Sequence, residues 1–299
     1  MITILSGGTG TPKLIQGIKE IYPEEKITVI VNTVENHYLS GGYIAADIDT
    51  VMYTFADMID EEFWYGIKGD TFTIREKLIE MGTCELLKIG DMDRAIELQK
   101  AILLKDYTLT EVVEFQKNKL GIEATIIPMS DEDSEIKIIT REHGEIDFHE
   151  FLIRYQCECE VLEVKYDNVS PSPKLIEAIN KSDKVIIGPS NPITSIRPIT
   201  TIEGVEQALK DKEVIAVSPF VGKSAFSGPA NKFMSSFGYE SSSIGVAKLY
   251  RSFLNKLVID NQDESSKEEI EKIIPEAIVS NTFMKTLEDK INLAKIVLE

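Results

Sequence analysis

Residues 2–31, ITILSGGTGTPKLIQGIKEIYPEEKITVIV, decide the fold. The runs 2–5 (ITIL) and 27–31 (ITVIV) are continuous, apolar and β-branched, as strands buried on both faces are. Between them Leu14, Ile15, Ile18 and Ile21 recur at helical spacing. Strand, helix and strand in this order make a βαβ unit, whose default is parallel pairing through a right-handed crossover.

The pattern returns late in the chain. KVIIGPSNP (184–192) and EVIAVSPF (213–220) are each a short buried strand followed by a Gly/Ser/Pro loop, and a helix is expected between them over 202–210. The middle reads differently. Apolar spacing predicts helices over 47–59, 73–81, 92–104 and 109–120, the last opened by a Thr108–Glu111 capping box. Residues 135–155 read as a hairpin turning at His143-Gly144, and 158–168 as another strand. The expected architecture is α/β: a Rossmann-like, doubly wound, mainly parallel sheet with a central helical and hairpin insertion. Its core comprises 1–50 and 165–260, the insertion 51–164, and a C-terminal helical tail 261–299 packs on the core or on a partner subunit.

The 299 residues are 43% hydrophobic and 27% charged, with a net charge of −18 from 50 acidic and 32 basic side chains. Such a field repels DNA and RNA, whereas a small phosphorylated ligand can bind through a few local donors, best beside a divalent cation. No apolar run is long enough to span a membrane, and the N-terminus lacks a signal-peptide pattern. The three cysteines make no disulfide framework. Cys157 and Cys159 are expected as strand residues, the alternative being a redox or metal use, and the compartment as the reducing cytoplasm.

Four stretches could carry chemistry. Ser6-Gly7-Gly8-Thr9-Gly10-Thr11-Pro12-Lys13 is neither a dinucleotide fingerprint nor a Walker loop: Lys13 stands where the third glycine belongs, and Asn32 where an acid would hold a ribose. It is either a tight strand-to-helix turn or an anion cradle of helix N–H groups, Thr9, Thr11 and Lys13, with Pro12 suited to the first helical position. Asp47 and Asp49 open a helix, as first-turn acids or as a pair of carboxylates for magnesium or a hydroxyl nucleophile. In Lys88-Ile-Gly-Asp91-Met-Asp93-Arg94, Asp91 reads as the N-cap of the next helix and Asp93 and Arg94 as surface charge, while Lys88 could reach a ligand. The loops at 188–192 and 218–222, with Ser227–Ala230 beyond, leave their strands at the ligand-binding edge of such a sheet, where Ser190 and Asn191 can present a hydroxyl and an amide. The scattered His37, His143 and His149 assemble no nucleophile triad or zinc motif.

LSGGTGTPKL, VNT (31–33), DIDTVMYTF, WYGIKGDTF, LKIGDMDRA, PMSDED, IIGPSNPITSI, AVSPFVG, SGPANKFM and GVAKLYRSFL follow one another in register as they do in the 2-phospho-L-lactate transferases of coenzyme F420 biosynthesis, which the chain resembles from residue 2 to about 260. The resemblance implies transfer of a phospholactyl group from lactyl-diphospho-guanosine to the ribityl hydroxyl of the deazaflavin Fo, with GMP leaving, Mg²⁺ required, and a homodimer with a Rossmann-like core. It also implies acceptor contacts at Asp49 and Lys88, the insertion helping to build the acceptor site. The guanine-nucleotide site falls on Gly7, Gly8, Thr9, Gly10, Thr11, Lys13, Asn32, Ser190 and Asn191. From the chemistry, Asp49 with Asp47 is expected to hold the metal and to orient or deprotonate the hydroxyl. The chain departs from the family's commoner residues at Asn36, Tyr38, Arg197 and Asn231. A related branch of non-catalytic, nucleotide-sugar-binding metabolic regulators shares the glycine loop but lacks the D-I-D-T, WYGIKGDTF and LKIGDMDRA blocks, and an NAD-dependent oxidoreductase is weakened by Lys13 and Asn32.

Overall fold

In the computed structural model, which describes every residue except 223 and 226–228, seven parallel strands form one sheet. From edge to edge it runs Glu276–Ser280, Lys256–Asp260, Glu213–Val217, Lys184–Ile187, Ile2–Ser6, Ile27–Val31 and Thr125–Pro128. Every neighbouring pair is parallel. Numbered along the chain, this is the order 3-2-1-4-5-6 of a doubly wound Rossmann sheet with a seventh strand added at one edge.

Alternation along each strand divides the core into two layers. Ile2, Ile4, Val29, Val31 and Ile186 bury against Leu14, Ile15 and Ile18 of the helix Gly10–Lys19 and Leu293 of the C-terminal helix Leu287–Leu298. Leu5, Ile30, Val185 and Ile187 face the opposite layer, with Leu175, Ile179, Val205 and Leu209.

The chain's two outer assignments differ from the expected division. Thr125–Pro128 lies inside the stretch read as an insertion yet is an edge strand of the core, paired with Ile27–Val31. Glu276–Ser280 lies inside the stretch read as a helical tail yet is the other edge strand. The helix that follows packs on Gly10–Lys19 so closely that a Cβ at Gly17 would stand 2.2 Å from the Lys290 carbonyl oxygen. The tail therefore completes the core of its own chain.

Between the sheet strands sit the expected helices, at Ala46–Phe55, Thr73–Glu80, Asp91–Leu103 and Leu109–Lys119. The Thr108–Glu111 capping box has both of its halves. A ribbon pairs His37–Leu39 with Gly42–Ile44, and a three-stranded antiparallel sheet joins Gly144–Asp147, Ile136–Thr140 and Val161–Tyr166. Cys157 and Cys159 lie in the turn before that last strand rather than in it, with Gln156 and Cys157 both at positive φ. No helix among the described residues is long and apolar enough to cross a membrane.

Candidate functional site

At the point where the sheet order reverses, the loops after Ile2–Ser6 and Lys184–Ile187 diverge, and ligands of open α/β sheets bind in that crevice. The two loops are bonded to each other. The Ser190 hydroxyl accepts the Gly7 N–H at 3.1 Å and shares a 2.7 Å hydrogen bond with the Thr11 hydroxyl. Asn191 Oδ1 accepts the N–H groups of Ile193 and Thr194, capping the turn that follows. Ser190 and Asn191 thus spend these side-chain atoms on building the crevice.

The helix opens at Gly10, two residues earlier than Pro12 suggested, and the Thr9 side chain makes no cap bond to it. Its first N–H groups are left to the crevice. Close packing demands glycine here. A Cβ at Gly10 would lie 2.0 Å from the Pro189 carbonyl oxygen, a backbone atom that cannot swing aside. Gly10→Ala is expected to store about 1–3 kcal/mol of strain. It should lower both the melting temperature and the affinity for a nucleoside diphosphate, measured by scanning calorimetry and titration calorimetry.

Across the crevice stands Asp47. A Cβ at Gly8 would lie 2.3 Å from its Oδ1, and its Oδ2 accepts the Asn32 side-chain N–H at 3.0 Å. Asn32 therefore orients this carboxylate. Burial raises the Asp47 pKa to about 6, against the pull of its hydrogen bonds from Asn32 and the Gly8 backbone and of the His149 charge. Glu35, lining the same cleft, is held well above the usual carboxylate range by burial and by Asp47.

Asp47 and Asp49 do not converge on one point. Two residues apart on a helix they lie about 200° round the axis from each other, and their carboxylates reach different partners. Both oxygens of Asp49 contact the Lys100 ammonium, at 2.5 and 2.7 Å, and Oδ2 also accepts the Ala45 N–H. Lys100 is fully buried, in the helix Asp91–Leu103. The same helix buries Asp93, Arg94 and Glu97, so Asp93 and Arg94 are not surface charge. Arg94 pairs with Glu85 at 2.5 Å, and the Tyr53 hydroxyl donates to Asp93 at 2.7 Å. Burial first, and neighbouring acids second, raise Asp93 to about 6 and Glu97 to about 8.

Asp91 and Asp70 cap helices crosswise. The Asp91 carboxylate accepts the Thr73 and Ile74 N–H groups of the preceding helix, while Asp70 accepts those of Met92 and Asp93. Lys88, beside them, is exposed, its ammonium 4.4 Å from the Phe72 ring centre and 6.0 Å from that of Phe63. Lys13 lies over Trp64 at 5.2 Å, with its pKa lowered by burial and by Lys290. The expected contributions of Ser227 and Gly228 lie outside the described residues.

Three cavities adjoin one another along this face. The cleft between the glycine loop, Asp47 and Asn191 encloses 150 Å³. Glu35 and Phe148 also line the next, a 210 Å³ cavity walled by His37, Tyr43, Asp133 and His149. His37, Asp147 and His149 then line the third, a 690 Å³ cavity with apolar walls at Leu39, Leu86, Leu87 and Ile153. Neither Asp49 nor Lys88 lines any of the three. Two of the three histidines that looked scattered meet here: the His37 and His149 ring centres are 3.9 Å apart. Among the described residues, no three acidic, histidine or cysteine side chains converge as a metal cluster.

The family model described as 2-phospho-L-lactate transferase CofD matches residues 2–289. The 2-phospho-L-lactate transferase of Methanothermobacter thermautotrophicus is 54% identical over 298 residues, which cover 100% of this chain and 97% of that protein. Its counterpart in Methanocaldococcus jannaschii is 49% identical, with coverage of 100% and 97%. That of Methanosarcina mazei is 44% identical, with 99% of each covered. A solved UPF0052-family protein from Bacillus halodurans aligns over 100% of this chain and 99% of its own with a TM-score of 0.67, and at 14% identity that likeness is one of fold. Matched in sequence almost from end to end, the chain belongs to the 2-phospho-L-lactate transferase family of enzymes.

Proposed function

We propose that the chain transfers the 2-phospho-L-lactyl group of lactyl-diphospho-guanosine to the ribityl hydroxyl of the deazaflavin Fo, releasing GMP. The observation that carries this reading is the shared walls of the three cavities. An apolar cavity, a polar one and an anion cradle follow in the order of a fused ring, a polyol chain and a diphosphate. The glycine-loop amides, with Lys13 behind them, would hold the donor's diphosphate and take up charge on the departing GMP.

Magnesium fits this cleft. Mg²⁺ is bound by one or two carboxylates and the substrate's own phosphates, and the carboxyl-bearing Asp47 and Glu35 both line this cleft. Asp47 is the carboxylate that would hold it, since both Asp49 oxygens are engaged by Lys100. When bound, the ion supplies charge neutralisation on the diphosphate. Asp49, expected from the resemblance as an acceptor contact and from the chemistry as the catalytic carboxylate and a metal ligand, serves in this reading as the buried anchor of the helix turn that carries Asp47. Lys88, expected from the resemblance as an acceptor contact, lines none of the three cavities and takes no part in this reading. A cytoplasmic homodimer belongs to the same proposal.

Phosphoryl-type transfer asks the protein mainly to align the hydroxyl and stabilise charge. Incubation with Fo, Mg²⁺ and lactyl-diphospho-guanosine should yield GMP and a phospholactylated deazaflavin in equal amounts, read by liquid chromatography and mass spectrometry. Tight nucleotide-sugar binding without turnover would overturn the proposal in favour of a non-catalytic regulator.

A further inference from the structure

We infer that His149, oriented by Asp147, is the residue that accepts the proton of the acceptor hydroxyl. The inference rests on the transferase reading above and adds a group to it. The reaction forms a bond between the hydroxyl oxygen and phosphorus and breaks the phosphorus–oxygen bond to the nucleoside monophosphate, which leaves with the electron pair. The hydroxyl proton must go to a base at the junction of the acceptor seat and the diphosphate cleft.

Asp49 does not meet that requirement, because it is 5% exposed and both of its oxygens are bonded to Lys100. His149 does. It lines both the polar and the apolar cavity, and its neighbour Phe148 lines the glycine-loop cleft. Its charge is felt at Asp47. The Asp147 carboxylate stands 3.5 Å from its Nδ1 and accepts its backbone N–H at 2.7 Å. With Nδ1 turned to a carboxylate, Nε2 is the nitrogen left to take a proton, the same division of labour as in a nucleophile–histidine–aspartate relay. The His37 ring supports the other side, and its own Nδ1 is turned to the Glu35 carbonyl at 3.1 Å.

The charged groups around His149 are these. Asp147 and Glu150 come from its own segment, and Glu35 and His37 from the segment opposite. Asp133 and Glu135 face the polar cavity, Asp47 the glycine loop, and Arg154 with Cys84 the apolar cavity.

The test is the pH dependence of turnover in the full-length protein with Mg²⁺, Fo and lactyl-diphospho-guanosine, comparing the unaltered chain with His149→Gln and Asp147→Asn. With Mg²⁺ saturating, so that Asp47 is held ionised throughout the range, the unaltered chain should lose kcat on the acid side as the base becomes protonated. His149→Gln should lower kcat by about 10²–10⁴-fold and abolish that acid limb. Its KM for Fo should stay within about threefold. Asp147→Asn should keep the limb but move it to lower pH, because the imidazolium has lost its partner. Unchanged GDP affinity in each variant reports an intact donor site. A His149→Gln protein that keeps the acid limb overturns the inference, whatever its kcat, and so does an Asp147→Asn limb that does not move. Absence of product from the unaltered chain overturns the transferase reading and this inference with it.

Discussion

Lys100→Met is expected to destabilise the protein by about 3–5 kcal/mol, the cost of leaving one member of a buried ion pair without its partner. The ammonium is 0% exposed and both Asp49 oxygens depend on it. Without it, Asp49 faces Asp93 and Glu97, two buried acids already pushed towards their neutral forms. At roughly 2–4 °C per kcal/mol for a domain of this order of size, the melting temperature should fall by at least about 6 °C. Asp49→Asn should lose a similar amount from the other side, and turnover with it, because the turn that carries Asp47 is no longer pinned. The double variant Asp49→Leu/Lys100→Met should recover more than half of either single loss, since an apolar pair leaves no orphaned charge. Urea and thermal denaturation of the three proteins measure this directly. Two singles within about 1 kcal/mol of the parent would mean that water reaches the pair and that the pair does not anchor the helix.

The parallel core was legible because ITIL, ITVIV, KVII and EVIAV carry near-continuous apolar, β-branched runs, as strands of a sheet covered on both sides do. Both edge strands were not. TIIP ends in proline, which is tolerated at a sheet edge but hides the strand among helical neighbours. EAIVS sits in an acidic, helical-looking tail, and one side of an edge strand needs no apolar partner. In the candidate site, the glycine loop is marked by its composition and Asp47 by its place in the first turn of a helix. What separated Asp47 from Asp49 was the packing of another helix. Asp93, Glu97 and Lys100 recur at helical spacing, one charged stripe that periodicity alone reads as a solvated face. The ribbon covers it: a Cβ at Gly42 would stand 2.9 Å from the Glu97 Cβ. His37 and His149 are far apart in sequence, and only the ribbon and the end of the antiparallel sheet bring their rings together.

Asp47→Asn should raise stability and abolish most of the activity, the combination expected of a residue kept for charge rather than for packing. The folded protein raises the Asp47 pKa from 3.8 to about 6, so it holds that proton more tightly than the unfolded chain does. The resulting stabilisation is complete below the unfolded value and is lost as pH rises through 6. Above that, the buried carboxylate costs the fold up to about 3 kcal/mol. Asparagine keeps an oxygen for the Asn32 N–H but has no charge to bury. The variant should therefore melt higher than the parent at pH 8, equally at pH 4, and show a flatter pH dependence between. Its turnover should fall by about 10²–10³-fold, the loss typical of removing one charged group that acts on the transferring centre. Adding Mg²⁺ with GDP separates the causes: it should stabilise the parent strongly and the variant weakly, because ligand stabilisation scales with affinity. An Asp47→Asn protein with parental turnover and parental pH dependence would remove Asp47 from the site and leave the glycine loop to hold the diphosphate alone.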